Sequence, residues 1–283
     1  MQVPPLKDSS AARIRIPSLP QVVTRVTELM SRDTVELEDL TAIVEEDPPL
    51  ATRVLQIANS VAFGQRSQIL DIRRAAIVIG AQELQNIVMQ VAIIRNFEHI
   101  QQRGYDLESL WRHSILTARV CRELANNIQD PRVRITLAPG DFFTLGLLHD
   151  LGKVVLLDNF GERYMDVVED AKQKEHVLEQ SEQEILGFDH AAVGGRVTAD
   201  WGLPQPLVQA IEQHHKPFGE LEELPEIYVL ACADVLANVV QFGAAAARRP
   251  IPPRELMEAA GLGREQLVLV RDRARQLVAD IVI

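Results

Sequence analysis

The sequence predicts an all-α protein, and three observations carry that prediction. Apolar residues recur at helical spacing through both halves of the 283-residue chain, and no strictly alternating run rivals them. Aromatic residues make up only 5%, and the β-branched ones mostly keep helical spacing, which argues against sandwiches and barrels. Glycine and proline separate several of the periodic stretches, as Gly202-Leu203-Pro204 does, in the manner of helix stops.

Each element follows from local chemistry. Residues 1–13 read as a flexible N-terminus, with prolines and polar residues where an export signal would need an apolar stretch. Val22, Val23, Val26, Leu29 and Met30 form one face of a first helix behind Pro20. Leu37, Leu40, Ile43 and Val44 make a second stripe, stopped at Asp47-Pro48-Pro49 because the residue before a proline avoids the helical region. A third helix runs from Pro49 to about Asn59, and Ile72–Ile79 and Gln82–Phe97 are two more joined at Gly80. The polar break Gln101-Gln102-Arg103-Gly104 marks a lobe boundary, so that 14–104 reads as an N-terminal helical lobe packed on a second lobe over 105–243. The second lobe resumes with Leu107–Asn126, a loop from Gln129 to Gly140, and Asp141 placed to cap a helix over Phe142–Leu157. Further helices are predicted at Glu162–Lys174, Leu178–Leu186, His190–Trp201, Pro204–His215 and Glu226–Phe242. After the proline-rich break at 250–253, Leu267, Val270, Ala274, Leu277, Val278 and Ile281 give a C-terminal helical extension over 244–283.

Composition excludes several classes of function. Apolar residues at 47% and charged residues at 24% are ordinary globular usage. The 29 basic residues stand against 40 acidic ones, and a net charge of −11 repels a phosphate backbone unless the basic residues cluster, which speaks against nucleic acid as a partner. Cys121 and Cys232 offer neither a disulfide framework nor a CxxC metal signature, so a reducing, cytoplasmic setting is expected. No stretch approaches eighteen consecutive apolar residues, and no membrane association is expected.

The chemistry rests on placement, since a lone histidine on an apolar helix is more often a hydrogen-bonded core residue than a ligand. What stands out is the ordered set His113, His149-Asp150, His190, His214-His215 and Asp234, each on or at the end of a predicted helix. Imidazole and carboxylate together suit divalent first-row metals, and a carboxylate can bridge two ions. Within the predicted helix His149 and Asp150 splay by about 100°, letting them reach adjacent ions. Lys153 is then four residues on, over His149, and could meet a phosphate. It is one of only five lysines in a chain otherwise supplied with arginine.

These residues resemble a known superfamily. Leu148-His149-Asp150-Leu151-Gly152-Lys153 is similar to the signature of HD-domain metal-dependent phosphohydrolases, and Trp111-Arg112-His113-Ser114 to their upstream histidine. Asp189-His190-Ala191-Ala192-Val193-Gly194, Trp201-Gly202-Leu203-Pro204, His214-His215 and Ala233-Asp234 follow in the order of the HDOD branch, the HD-related output domain. Leu19-Pro20, Asp47-Pro48-Pro49-Leu50, Ala58-Asn59-Ser60 and Ile79-Gly80 resemble the N-terminal half particular to HDOD. The resemblance implies an HDOD-type helical bundle and a role in bacterial signal transduction, often beside response-regulator receiver or nucleotide-cyclase domains of two-component systems. The related HD-GYP branch hydrolyses cyclic di-GMP and carries a Gly-Tyr-Pro run after its paired histidines. Here Lys216-Pro217-Phe218-Gly219 stands in that place.

Three readings follow. The first is an interaction or output module that acts on signalling proteins and retains an HD-type metal site. The second is a metal-dependent phosphohydrolase, with Asp150 and Lys153 as catalytic candidates and a phosphate-containing ligand. The third is a DNA-binding regulator using Arg73 and Arg74 at the Gly80 junction, weakened by the strongly apolar run from Ile87 to Ile94. The expected cofactor is one or two divalent ions of the Fe or Mn kind, with no organic cofactor. His113, His149, Asp150, His190, His214, His215 and Asp234 are the candidate ligands. The missing Gly-Tyr-Pro run leads to the expectation that cyclic dinucleotides and generic phosphodiesters are not turned over.

Overall fold

A computed structural model of the chain describes residues 14–30, 37–60, 63, 68–128, 130, 133, 135–221, 223–242, 254–278 and 281. The N-terminus expected to be flexible, 1–13, and the proline-rich break at 250–253 lie outside the described residues. Among the described residues all regular structure is helical. The chain divides into two compact units, one built on Ser18–His99 and the other on Ile100–Val278 together with residues 14–17.

The smaller unit contains α1 (Gln21–Met30), α2 (Leu37–Glu45), α3 (Pro48–Ala58), α4 (Ile72–Ile79) and α5 (Ala81–Asn96). Its start signals behave as capping chemistry demands. Asp47 adopts extended backbone, accepts a hydrogen bond from the Leu50 amide and precedes two prolines that have no amide to lose. Both oxygens of the same carboxylate accept from Arg95 Nη1, at 3.0 and 2.9 Å, which ties the start of α3 to the end of α5. Asn59 bonds Ile69 through both its amide nitrogen and its oxygen, at 2.8 and 2.7 Å, and so closes the connection between α3 and α4. At Gly80 the chain turns by 114° between α4 and α5. Leu84 and every residue from Asn86 to Ile94 are buried, making α5 a core element of the fold.

The larger unit contains α6 (Leu107–Asn126), α7 (Pro139–Leu148), α8 (Leu151–Phe160), α9 (Glu162–Gln173), α10 (Leu178–Leu186), α11 (His190–Asp200), α12 (Gln205–Gln213), α13 (Pro225–Phe242), α14 (Arg254–Ala259) and α15 (Arg264–Leu277). α6 is its axis, packed on α7, α13 and α15, while α11 lies between α8 and α12. Close approach is built in by glycine. A Cβ at Gly146 would lie 2.5 Å from the Ala118 Cα, so α7 can meet α6 backbone to backbone only without a side chain there. α13 is long and apolar enough to cross a membrane by length and composition, yet 61% of that span is buried in the fold and it carries Glu226 and Asp234. Glu226 is fully buried and accepts from the Thr136 amide and hydroxyl and the Leu137 amide, which fastens the segment leading into α7.

Two local expectations need correction. The helix predicted over Phe142–Leu157 is two helices, because Asp150, at φ −98° and ψ 8°, leaves the helical path between α7 and α8. Asp141 lies inside α7, three residues past its N-cap, and its carboxylate reaches back to the Ala138 amide at 3.1 Å. The helix therefore starts at Pro139, whose missing amide suits the first helical position. The C-terminal helices α14 and α15 pack on α13 and α6 within the larger unit.

Candidate metal centre

All seven candidate ligands lie in the larger unit, and the helices bring them to one place. His113 comes from the middle of α6, His149 and Asp150 from the break between α7 and α8, and His190 from the first position of α11. His214 and His215 stand in the turn that ends α12, and Asp234 in the middle of α13. His113, His149, Asp150, His190 and His214 are buried, while the Asp234 side chain is 14% exposed.

Asp150 is the hub. Its Oδ1 lies 3.3 Å from His190 Nε2 and 3.9 Å from His214 Nε2. Its Oδ2 lies 3.4 Å from His149 Nε2 and 4.0 Å from His113 Nε2. Asp234 closes the second side, with Oδ1 accepting from His113 Nε2 at 2.9 Å and lying 3.6 Å from His149 Nε2. Two ligand groups result, Asp150 with His190, His214 and His215, and His113 with His149 and Asp234, each with its donor atoms within 4.8 Å of one another. One carboxylate oxygen faces each group, as a bridging ligand requires.

Three of the outer nitrogens are anchored so that the inner ones face the centre, while His113 Nδ1 is buried with no hydrogen-bond partner. His149 Nδ1 donates to the Gly146 carbonyl at 2.7 Å, and His214 Nδ1 to the Ile211 carbonyl at 2.6 Å. His190 Nδ1 donates to Glu182 Oε2 at 2.6 Å. Histidines that ligate metals hold their remote nitrogen in this way, which fixes the tautomer and the ring direction. His149 Nε2, His214 Nε2 and Asp150 Oδ1 are buried with no hydrogen-bond partner. Each such orphan costs about 1–3 kcal/mol, a cost that a cation at the centre would relieve. The donor set and the orphaned atoms thus fit one or two divalent ions.

Without a cation the groups balance their charge among themselves. Burial opposes ionisation of Asp150, but His149, Lys153, His190 and His214 outweigh it and hold the carboxyl well below its usual range. Asp234 is held low in the same way by His113 and His149. Burial also opposes the His190 imidazolium, yet the Glu182 carboxylate outweighs it and the pKa is pushed up to about 10. His149 is raised by Asp150 and Asp234 against its burial. His214 and His215 are lowered, chiefly by burial, so both are neutral at pH 7. His190 Nε2 and His215 Nε2 then share one proton across 2.9 Å.

The break at Asp150 changes the place of Lys153. Instead of lying over His149, its Nζ donates to Asp150 Oδ2 at 2.7 Å from three residues on. A cavity of about 400 Å³ opens beside this pair, with His113, Asp150, Lys153, His215 and Asp234 in its wall. Lys172 and Tyr105 also line it, and Leu110, Met165, Val168 and Phe242 give it an apolar side. His149, His190 and His214 are not among its lining residues, so the cavity meets one face of the centre.

Sequence reasoning missed the residues around the ligands. Asn238, one helical turn beyond Asp234, donates to Asp234 Oδ1 at 2.8 Å. Glu182 and Tyr164, joined at 2.6 Å, stand behind His190. Asn238 is four residues from a carboxylate on a predicted helix, a spacing that could have found it. Glu182 carries no comparable signal, since it lies in the glutamate-rich run 179–184 and reaches His190 only because the chain reverses at Gly187, at φ 85°.

An all-α fold with a buried histidine and aspartate centre around a His-Asp pair defines an HD-type helical protein. The HDOD domain family matches residues 16–217, and the chain belongs to that family. An uncharacterized protein of Treponema pallidum (strain Nichols) is 29% identical over 239 residues, which is 83% of this chain. The matched stretch is 44% of that protein, so the chain spans under half the length of its curated relative. Among solved structures, an HDOD domain protein with unknown function from Geobacter sulfurreducens superposes with a TM-score of 0.78 at 21% identity, covering 98% of this chain and 97% of that one. A candidate signal transduction protein from Marinobacter aquaeolei VT8 gives 0.76 at 22% identity, over 97% of this chain and 60% of that one. A candidate phosphohydrolase from Shewanella amazonensis SB2B gives 0.69 at 21% identity, over 94% and 92%. At these identities the likeness is one of fold.

Proposed function

We propose that this chain is a signal-transduction protein whose HD-type centre holds one or two divalent ions, of the Fe or Mn kind, and binds a phosphate-bearing ligand in the adjoining cavity. One observation carries the reading: six candidate ligands from five places on the helices converge around Asp150, and the cavity against them is lined by two lysines. Asp150, His190, His214 and His215 would hold one ion, and His113, His149, Asp234 and the shared Asp150 the other. When bound, such ions supply Lewis acidity toward a phosphoryl oxygen and lower the pKa of a water at the site. The chain supplies the rest. Lys153, kept charged against Asp150, neutralises phosphate from the inner wall, and Lys172 brings a second, exposed cation to the rim. Asn238 holds the Asp234 carboxylate toward the centre. Signalling partners would read the ligand-bound state, and the cytoplasm is the compartment expected for such a protein.

Elemental analysis of protein purified without chelator, followed by calorimetric titration with orthophosphate, tests this reading. Wild type should carry metal and bind phosphate, Asp150→Ala should lose both, and Lys153→Ala should keep the metal and bind phosphate about tenfold more weakly. Protein that refuses Mn, Fe and Zn alike would overturn it.

A second reading, metal-dependent phosphoester hydrolysis, is favoured by the cavity, which puts four ligand residues and Lys153 at one wall where a phosphoryl group would sit. Its test is turnover of 4-nitrophenyl phosphate by Mn-loaded wild type. A rate that Asp150→Ala removes and Lys153→Ala lowers on the order of 10²-fold would establish it. The same assay on cyclic di-GMP is expected to show none.

A further inference from the structure

Unlike His149 and His214, whose outer nitrogens rest on backbone carbonyls, His190 rests on a carboxylate. Glu182 is fully buried, and its two oxygens divide their work. Oε2 accepts from both the His190 backbone amide, at 2.9 Å, and the ring Nδ1, at 2.6 Å, so one atom pins the start of α11 and the direction of the imidazole. Oε1 accepts from the Tyr164 hydroxyl of α9 at 2.6 Å, and Tyr164 is itself fully buried. Tyr164 in turn lies against Tyr105 of the cavity wall, ring centres 6.3 Å apart. Burying a carboxylate is costly even when it is paired, and capping a helix needs only a neutral oxygen. A charge at this position makes sense for what it does to the ring in front of it, because a carboxylate behind an imidazole strengthens its inner nitrogen as a donor.

We infer that Glu182, held by Tyr164, is a positioning residue that orients His190 and strengthens its Nε2 for the metal centre. The inference rests on the proposed metal centre and extends it to a part of the fold, α9 and α10, that supplies no ligand. A purely structural role makes a different prediction. Glu182→Gln keeps an acceptor oxygen for the His190 amide and ring, and its amide can donate to the Tyr164 oxygen, so the cap survives while the charge is lost.

The test uses the full chain, metal-free at first, with Mn²⁺ affinity measured by competition against a chelating dye and the fold followed by thermal melting. Glu182→Gln is expected to melt within a few degrees of wild type before loading and to bind Mn²⁺ about 10- to 100-fold more weakly. Tyr164→Phe, which removes one of the donors that hold the carboxylate, should weaken Mn²⁺ several-fold, in the same direction. Wild-type affinity in Glu182→Gln would overturn the positioning role. Should that variant not fold, an unchanged affinity in Tyr164→Phe would overturn it as well. Wild type that takes up none of Mn²⁺, Fe²⁺ and Zn²⁺ would instead overturn the metal centre on which the inference rests.

Discussion

At the residue scale, the His-Asp pair is shaped by its neighbours as much as by its own chemistry. Gly152 is the closest case. A Cβ there would stand 1.9 Å from the His190 carbonyl oxygen and 2.9 Å from the Gly194 nitrogen, both backbone atoms that cannot swing away. Gly152→Ala should therefore destabilise the protein by about 3 kcal/mol or more, as overpacked positions do. Urea denaturation measures the loss, and metal content should fall with it because α11 carries His190. Protonation gives a second expectation. His190 holds its proton up to about pH 10 in the metal-free protein, and His149 is raised as well. A metal needs the lone pair that this proton occupies, so uptake at neutral pH must release protons. Affinity then rises as pH increases toward the raised pKa and falls on acidification. Calorimetry in buffers of different ionisation enthalpy should show proton release on Mn²⁺ binding.

At the element scale, helix ends do more positioning than helix faces. Asp150 lies at the centre of the candidate ligands where the chain leaves the helical path, and His214 and His215 reach the centre from the end of α12. The turn between α4 and α5 is the counterpart in the smaller unit. Gly80 sits at φ 82° and ψ 155°, a backbone state that side chains rarely allow, and no atom lies within 4 Å of where its Cβ would be. Gly80→Ala should thus cost about 1–3 kcal/mol by backbone strain alone. Chemical denaturation should show that loss while far-ultraviolet circular dichroism stays unchanged, since nothing is displaced.

At the scale of the whole molecule, a cation bound only by the folded chain links the centre to stability. Chelation should lower the melting temperature of metal-loaded protein by the binding free energy, about 2.7 kcal/mol when free metal is a hundredfold above Kd. For a chain of this length that is a shift of several degrees, on the order of 2–4 °C per kcal/mol. Asp150→Ala should melt at one temperature with and without chelator. A chelator shift that survives in Asp150→Ala would mean that the metal sits elsewhere.

Most of the helices are legible in the sequence, because periodicity and the proline and glycine stops are local chemistry acting within a turn or two. The candidate ligands are legible there too, since His-Asp and His-His pairs in series can be read as letters. What those letters face is set by how the elements pack. The break at Asp150 moved Lys153 from His149 to the carboxylate, and the reversal at Gly187 put Glu182 behind His190. Backbones also approach across the chain, at Gly146 against Ala118 and at Gly152 against His190. Such approaches are set by packing between elements distant in sequence, which no local pattern records.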